Sequence, residues 1–447
     1  MKRERMGHAD AAWLRMDSPT NLMLVNSVLW FDDPVPEQTL RDVLADRLVG
    51  RFRRFRQRVV EDHGAWWEDD PAFDVSHHIH HLDLPAPRGR RELQAVVASY
   101  LTVPLDRSRP LWDLYVVDDY DGGGTALFFR MHHCIADGIA LTRVLLSLTD
   151  EGETYAGVAE DSPRQHHGLL ADLATTGLHE VREAATHPRH LVDLAATGVD
   201  DARALAKLLL LPPDGSYWGR RTGVDKQVVW SDPIPLDRIK RAGHASGTTV
   251  NDVLLATVAG ALRLERERGG GAVHDVRVVV PFNLRSLDQP LPSGLGNHFG
   301  LVFLDLPLTR RTAGDRLAEM SRRMRAIKHS AEGLVSYGVL DLVGRAPSVV
   351  ERAVVEVFAA KGSAVMTNVA GPREPVTLAG SRLRGTMGWV PMSGSIGLRV
   401  SIFSYAGDVV IGLAVDRLQV SDADRLLADI EDELEALAAT AGAATSD

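Results

Sequence analysis

The chain has 447 residues, a formal net charge of −10 at pH 7, 45% hydrophobic and 25% charged residues, and one cysteine, Cys134. That length exceeds one ordinary core and predicts two domains of about 200 residues each. The acidic balance excludes a general nucleic-acid binder, no apolar run approaches the roughly 18 residues of a membrane span, and a lone cysteine excludes an internal disulfide.

The basic start, Met1-Lys2-Arg3-Glu4-Arg5, is not followed by an apolar h-region or a small-residue cleavage site, so a cytoplasmic location is expected. Residues 9–17 predict a short helical turn and Leu22 to Phe31 a strand; Pro36 to Leu48 predicts an amphipathic helix. Arg51-Phe52-Arg53-Arg54-Phe55-Arg56-Gln57-Arg58 carries five arginines in eight residues. It could hold phosphates or an anionic membrane surface, or form a solvated face with its two Phe side chains turned inward. Ser76 to His81 contains four histidines. Such a tract can bind metal, but strand alternation favours a half-exposed strand with His78 and His80 on one face. A helix is predicted over 90–101 and strands over 111–117 and 125–131, joined through Gly122-Gly123-Gly124. Trp112 therefore lies in a hairpin with the following strand, where core packing outweighs substrate contact.

That second strand runs into Met131-His132-His133-Cys134-Ile135-Ala136-Asp137-Gly138, after which helical periodicity begins. Adjacent histidines at a strand end project to opposite sides, so one of them faces a given cavity. Asp137-Gly138 supplies the bend, with Gly138 free to take a positive φ. Three readings compete. His132 and His133 are core histidines with Asp137 as a helix cap; or the three are metal ligands, lacking a recognisable further ligand; or a neutral imidazole takes a proton from an attacking hydroxyl. Cys134 reads as a packing residue ahead of a nucleophile.

Residues 151–218 predict a helical interdomain connection, dividing the chain into 1–150, 151–218 and 219–447. In the last part, strands are predicted at 226–230, 276–281, 299–306, 364–368, 384–391, 396–405 and 409–415, with a hairpin turn at Gly407-Asp408. Helices are predicted at 236–242, 248–263, 311–329, 349–360 and 421–439. Thr249 and Asp252 fit a capping box, which assigns Asp252 first to helix-terminal amides. Strands and helices mixed in both halves predict α/β domains with mixed sheets.

The sequence has no G-x-S-x-G elbow, phosphate loop or dinucleotide fingerprint. His132 to Gly138 has the HHxxxDG form, and in this it resembles the CoA-dependent acyltransferase superfamily, which includes peptide-synthesis condensation domains. Further segments narrow the resemblance to the bacterial wax ester synthase/diacylglycerol acyltransferase family. These are Pro110-Leu111-Trp112, Asn251-Asp252, Pro281-Phe282-Asn283-Leu284-Arg285, Gly296-Asn297 and Thr367-Asn368-Val369-Ala370-Gly371-Pro372. Asp17-Ser18-Pro19-Thr20-Asn21 and Ser401-Ile402-Phe403-Ser404-Tyr405 extend it over nearly the whole chain. Asn21-Leu22-Met23 departs from the family's Pro-x-x-Met.

The resemblance implies two chloramphenicol-acetyltransferase-like domains with a channel between them. Acyl-CoA would enter as co-substrate from one side and diacylglycerol or a long-chain alcohol from the other, with no further cofactor, no metal and peripheral membrane or lipid-droplet association. It implies that His133 is the general base of a direct transfer without a covalent acyl-enzyme. His132 supports it, and Asp137 organises the loop through an ion pair such as one with Arg285. Asn283 is the candidate for polarising the thioester oxygen. Gly138, Trp112, Asn251, Asp252 and Asn368 are substrate-binding or structural positions. Two alternatives stay open: a condensation-like enzyme using a carrier-protein donor, and a non-catalytic lipid-binding homologue.

Overall fold

In the computed structural model, which describes residues 3–155, 158–159, 214, 222–284, 289–328, 360–392 and 394–444, the first half runs as follows. β1 (Arg3–Arg5), α1 (His8–Arg15), β2 (Leu24–Phe31), α2 (Glu37–Val43), β3 (Gln57–Glu61), β4 (Ala65–Asp69) and β5 (Ile79–His81) precede α3 (Arg90–Tyr100), β6 (Trp112–Tyr120), β7 (Gly124–His132), α4 (Gly138–Leu146) and β8 (Val158–Ala159). β2 and β7 are buried at every position, which explains why they read as near-continuous apolar runs. β6 and β7 form the expected hairpin. α2 continues as a π-helical turn over Leu44–Val49.

The second half adds β9 (Lys226–Trp230), β10 (Ile234–Pro235), α5 (Leu236–Ala245), α6 (Val250–Arg268), β11 (Val276–Asn283), β12 (Leu291–Pro292), β13 (Phe299–Leu306) and α7 (Ala313–Lys328). β14 (Ala364–Ala370), β15 (Thr377–Leu378), β16 (Ser381–Trp389), β17 (Leu398–Tyr405), β18 (Asp408–Asp416) and α8 (Ala423–Ala444) complete it. The helices expected within 151–218 and at 349–360 lie outside the described residues.

The first sheet has the order β15-β16-β2-β7-β6-β5, and the second β10-β18-β17-β14-β11-β13 with β9 also on β18. Parallel pairs occur in both, so the mixed α/β class holds. β16 comes from the second half of the chain yet pairs with β2. Apolar residues of α5 to α8 cover one face of the second sheet, packing on Leu398, Val400, Ile411 and Leu413. Its other face turns toward the first sheet, where Phe403, Ala414 and Trp230 join the first core.

Several local expectations change. His78 sits in a 3-10 turn before β5 and stacks on Trp112, so the His tract is not one alternating strand. The β17–β18 turn is Ala406-Gly407, both in the left-handed region, because Tyr405 and Asp408 are already paired. In the arginine-rich run Phe52 and Phe55 are buried, as one reading expected. Its guanidiniums are engaged within the protein: Arg54 with Glu4 and Gln57, Arg53 with Glu4, Arg51 with Glu153, and Arg58 with Glu68. The hairpin β3–β4, flanked by β1, matches none of the expected elements.

Candidate active site

β7 delivers His132 as its last ladder residue, opposite Leu24, and the chain then leaves the sheet. The His133 amide donates to the Met23 carbonyl at 2.7 Å, which fixes the departure. The next residues meet the second half of the chain: Ala136 and Gly296 form a parallel bridge, and the Gly296 amide donates to the Ile135 carbonyl at 3.0 Å.

The two histidines have different surroundings. His132 Nε2 donates to Asp17 Oδ2 at 3.3 Å and its Nδ1 accepts the Cys134 amide at 3.1 Å, so both ring nitrogens are committed. Asp17 also accepts the Met23 amide and the Arg107 guanidinium. Burial alone would raise the Asp17 carboxyl, but these partners bring it below its ordinary value. His133 is 2% exposed. Trp13 stacks on its ring at a centroid distance of 4.2 Å, Phe299 leans on it at 5.4 Å, and its Nδ1 is buried without a hydrogen-bond partner. Burial pushes the imidazole down to about 4, against the pull of the nearby Asp137 charge, so it is neutral at pH 7. Burial pushes the Cys134 thiol up, which leaves it a packing residue.

Asp137 does two things. Oδ1 accepts the Ala140 amide at 2.9 Å and caps α4, while Oδ2 accepts the His298 amide at 3.1 Å. The helix-cap and loop-organiser readings are thus one arrangement; Arg285, the arginine expected to pair with Asp137, lies outside the described residues. Gly138 is helical and needs no positive φ; a Cβ there would stand 3.1 Å from Val390 Cγ1, so close approach is the constraint.

Comparison with known proteins bears on this constellation. The sequence model of the wax ester synthase/diacylglycerol acyltransferase catalytic domain matches residues 6–254, and that of the C-terminal domain of the same family matches 295–438. The chain belongs to this family. It is 29% identical over 458 residues to a Mycobacterium tuberculosis protein named as a probable diacylglycerol O-acyltransferase, covering 97% of this chain and 98% of that one. A second M. tuberculosis protein of the same description is 27% identical over 428 residues, covering 93% and 91%. Among solved structures, the wax ester synthase/diacylglycerol acyltransferase from Marinobacter aquaeolei VT8 superposes with a TM-score of 0.71 at 21% identity, covering 98% of this chain and 100% of that one. The first condensation domain of a calcium-dependent antibiotic synthetase superposes at 0.61 and 18%, covering 98% and 96%. These likenesses confirm the two-domain fold, and the wax ester synthase/diacylglycerol acyltransferase homologue described here is an acyltransferase.

The remaining family motifs fall into place unevenly. Asn368 Nδ2 donates to Asn251 Oδ1 at 3.0 Å, tying β14 to the start of α6. Asp252 forms the capping box with Thr249, at 3.0 and 3.2 Å, while its Oδ1 is buried without a partner. Trp112 donates from Nε1 to the Phe55 carbonyl at 2.8 Å and stacks on His78, which is the core role expected of it. Asn283 stands opposite Phe299 in the ladder, one residue pair from the His133 ring; its side chain lies outside the described residues.

Sequence reasoning missed Asp10 and Trp13. Asp10 Oδ1 accepts both the backbone amide and the Nδ2 of Asn297, at 2.9 and 2.8 Å, and Asn297 Nδ2 in turn donates to the His133 carbonyl at 2.8 Å. Asp10 and Trp13 are three apart on α1 and so share its inner face. An Asp and a Trp at that spacing on a short helix was the available signal.

Proposed function

We propose that the chain transfers a long-chain acyl group from acyl-CoA to the hydroxyl of diacylglycerol, a fatty alcohol, or both, with His133 as general base. The observation that carries this reading is the contrast within the pair: the His132 ring is anchored at both nitrogens, while His133 is neutral and its Nδ1 has no protein partner. An aliphatic alcohol is a poor nucleophile at neutral pH, and base assistance contributes roughly 10²–10⁴-fold.

In the step proposed, an imidazole nitrogen takes the hydroxyl proton as the oxygen attacks the thioester carbonyl. The tetrahedral intermediate expels the CoA thiolate, and the imidazolium returns the proton to that sulfur. The Asp137 charge favours the imidazolium as it forms. Asn283, beside Phe299, is the candidate donor to the developing oxyanion. The reaction needs no cofactor beyond the co-substrate and no metal. Donor and acceptor enter a channel between domains 1–150 and 219–447 from opposite sides, with 151–218 connecting the two.

Among the described residues no helix is long and apolar enough to cross a membrane. Acceptors of this kind partition into lipid, so we place the chain as a cytoplasmic protein working peripherally at a membrane or droplet surface. The test is a matrix of palmitoyl-CoA and palmitoyl-carrier protein against diacylglycerol and hexadecanol. Ester formed from palmitoyl-CoA supports the reading. Ester formed from the carrier alone would favour a condensation-like enzyme, and lipid binding without any product a non-catalytic homologue.

A further inference from the structure

On the face of the second sheet that looks away from its helices, four residues stand side by side across four strands. Phe303 pairs with Val279, Val279 with Val365, and Val365 with Arg399. Directly paired residues share a face, so the Arg399 side chain continues a row that is otherwise apolar. Val279, Phe303 and Val365 pack with Met392 and Ile396 into a small separate cluster, with Leu301 and Val390 at its edge. Arg399 itself is 2% exposed.

Among the described residues nothing is paired with that guanidinium. Its Nε and Nη1 are buried without a hydrogen bond, and among the described residues no carboxylate pairs with it. The Arg399 charge acts on Lys226, and the acid that holds Lys226, Asp416, is fully engaged: Oδ2 takes Lys226 Nζ and the Gly223 amide, each at 2.7 Å, and Oδ1 takes the Leu418 amide at 3.0 Å. Burial pushes the Arg399 guanidinium down to about 10, so it is charged at neutral pH. A buried charge without a counter-ion is among the most unfavourable features a fold can carry, and elsewhere such charges are paired. Among the described residues none supplies that counter-charge, which leaves it to a bound anion.

The apolar row also leads back to the motif. Phe299, Leu301 and Phe303 alternate along one face of β13, with Phe299 against the His133 ring; Val390 stands at Gly138. From Phe299 to Arg399 the offset is three strand spacings of about 4.8 Å across the sheet and four residues of about 3.4 Å along it, a straight diagonal of roughly 20 Å. We propose that Arg399 binds the carboxylate of a long-chain hydroxy acid whose hydroxyl reaches His133 across this apolar row. The planar guanidinium fork matches one carboxylate bidentately. A phosphate dianion would call for a second cation, and Lys226 is already held by Asp416.

This acceptor assignment rests on the acyltransferase reading of His133 and is tested so that the two fail separately. The wild-type chain is assayed with palmitoyl-CoA and 16-hydroxyhexadecanoate, its methyl ester, or hexadecanol. The free acid is expected to exceed the methyl ester in kcat/KM by about ten-fold, as a charge-assisted hydrogen bond implies. Arg399→Gln should bring that ratio to about one, and Arg399→Lys should restore part of it. A wild-type ratio near one, or a ratio retained in Arg399→Gln, overturns the proposal while leaving transfer to hexadecanol in place. If none of the three acceptors is acylated and diacylglycerol, run as a fourth, is not acylated either, the reading of His133 fails instead, and binding decides for Arg399. Palmitate should then raise the urea midpoint of the wild type and not of Arg399→Gln; equal shifts, or none, overturn the site.

Discussion

Replacing Asp137 with Ala removes two hydrogen bonds at once, and the structure gives their worth separately. Losing the cap on α4 costs about 1 kcal/mol. Leaving the part-buried His298 amide without its acceptor costs about 1–2 kcal/mol more. Asp137→Ala should therefore lower stability by about 2–3 kcal/mol, read as a lower urea midpoint at unchanged slope. Asp137→Asn keeps one acceptor oxygen and should lose about half of that. The carboxylate also acts at a distance, because its charge opposes the depression of the His133 pKa. Without it the imidazole is harder to protonate, so the acid limb of kcat/KM, already below pH 6.5, should move to still lower pH. An unchanged urea midpoint and an unshifted limb, combined with a loss of activity above about 10²-fold, would instead make Asp137 a participant in proton transfer.

The depressed His133 pKa predicts a second pH effect. Below its unfolded value of about 6.5 the unfolded chain takes up a proton that the folded chain refuses. Stability should therefore fall from pH 7 toward pH 5, and His133→Gln should flatten that part of the profile of urea midpoint against pH; an unaltered slope would contradict the assigned burial. The Lys226–Asp416 pair, 2.7 Å apart with side chains 1% and 0% exposed, predicts that Lys226→Met destabilises by about 3–5 kcal/mol, since it leaves the buried carboxylate with two backbone amides but no counter-charge. A change under about 1 kcal/mol by urea titration would contradict it.

Much of the fold was legible because its strands are buried on both faces and announce themselves as apolar runs, as in Leu24 to Phe31 and Leu398 to Tyr405. What sequence pattern could not convey is partnership at long range. Nothing local in Ser381 to Trp389 says that it pairs with β2 rather than with the strands that follow it. The same holds at the site. The HHxxxDG stretch was visible, and so was the opposite projection of its two histidines; that His132 is anchored at both ring nitrogens came only with the fold. Asp10 and Trp13, though, reach His133 from a helix more than a hundred residues away, through contacts that only the folded chain creates. Gly138 shows a subtler limit: the residue was singled out for backbone freedom, whereas in the folded protein it is helical and a Cβ there would meet Val390 Cγ1 at a tight 3.1 Å.

Whether His133 is the base is read most plainly from acyl transfer from palmitoyl-CoA to hexadecanol and diacylglycerol by His133→Ala. Loss of the base should lower kcat roughly 10²–10⁴-fold with a cooperative urea transition retained. Near-normal turnover in that variant would contradict it.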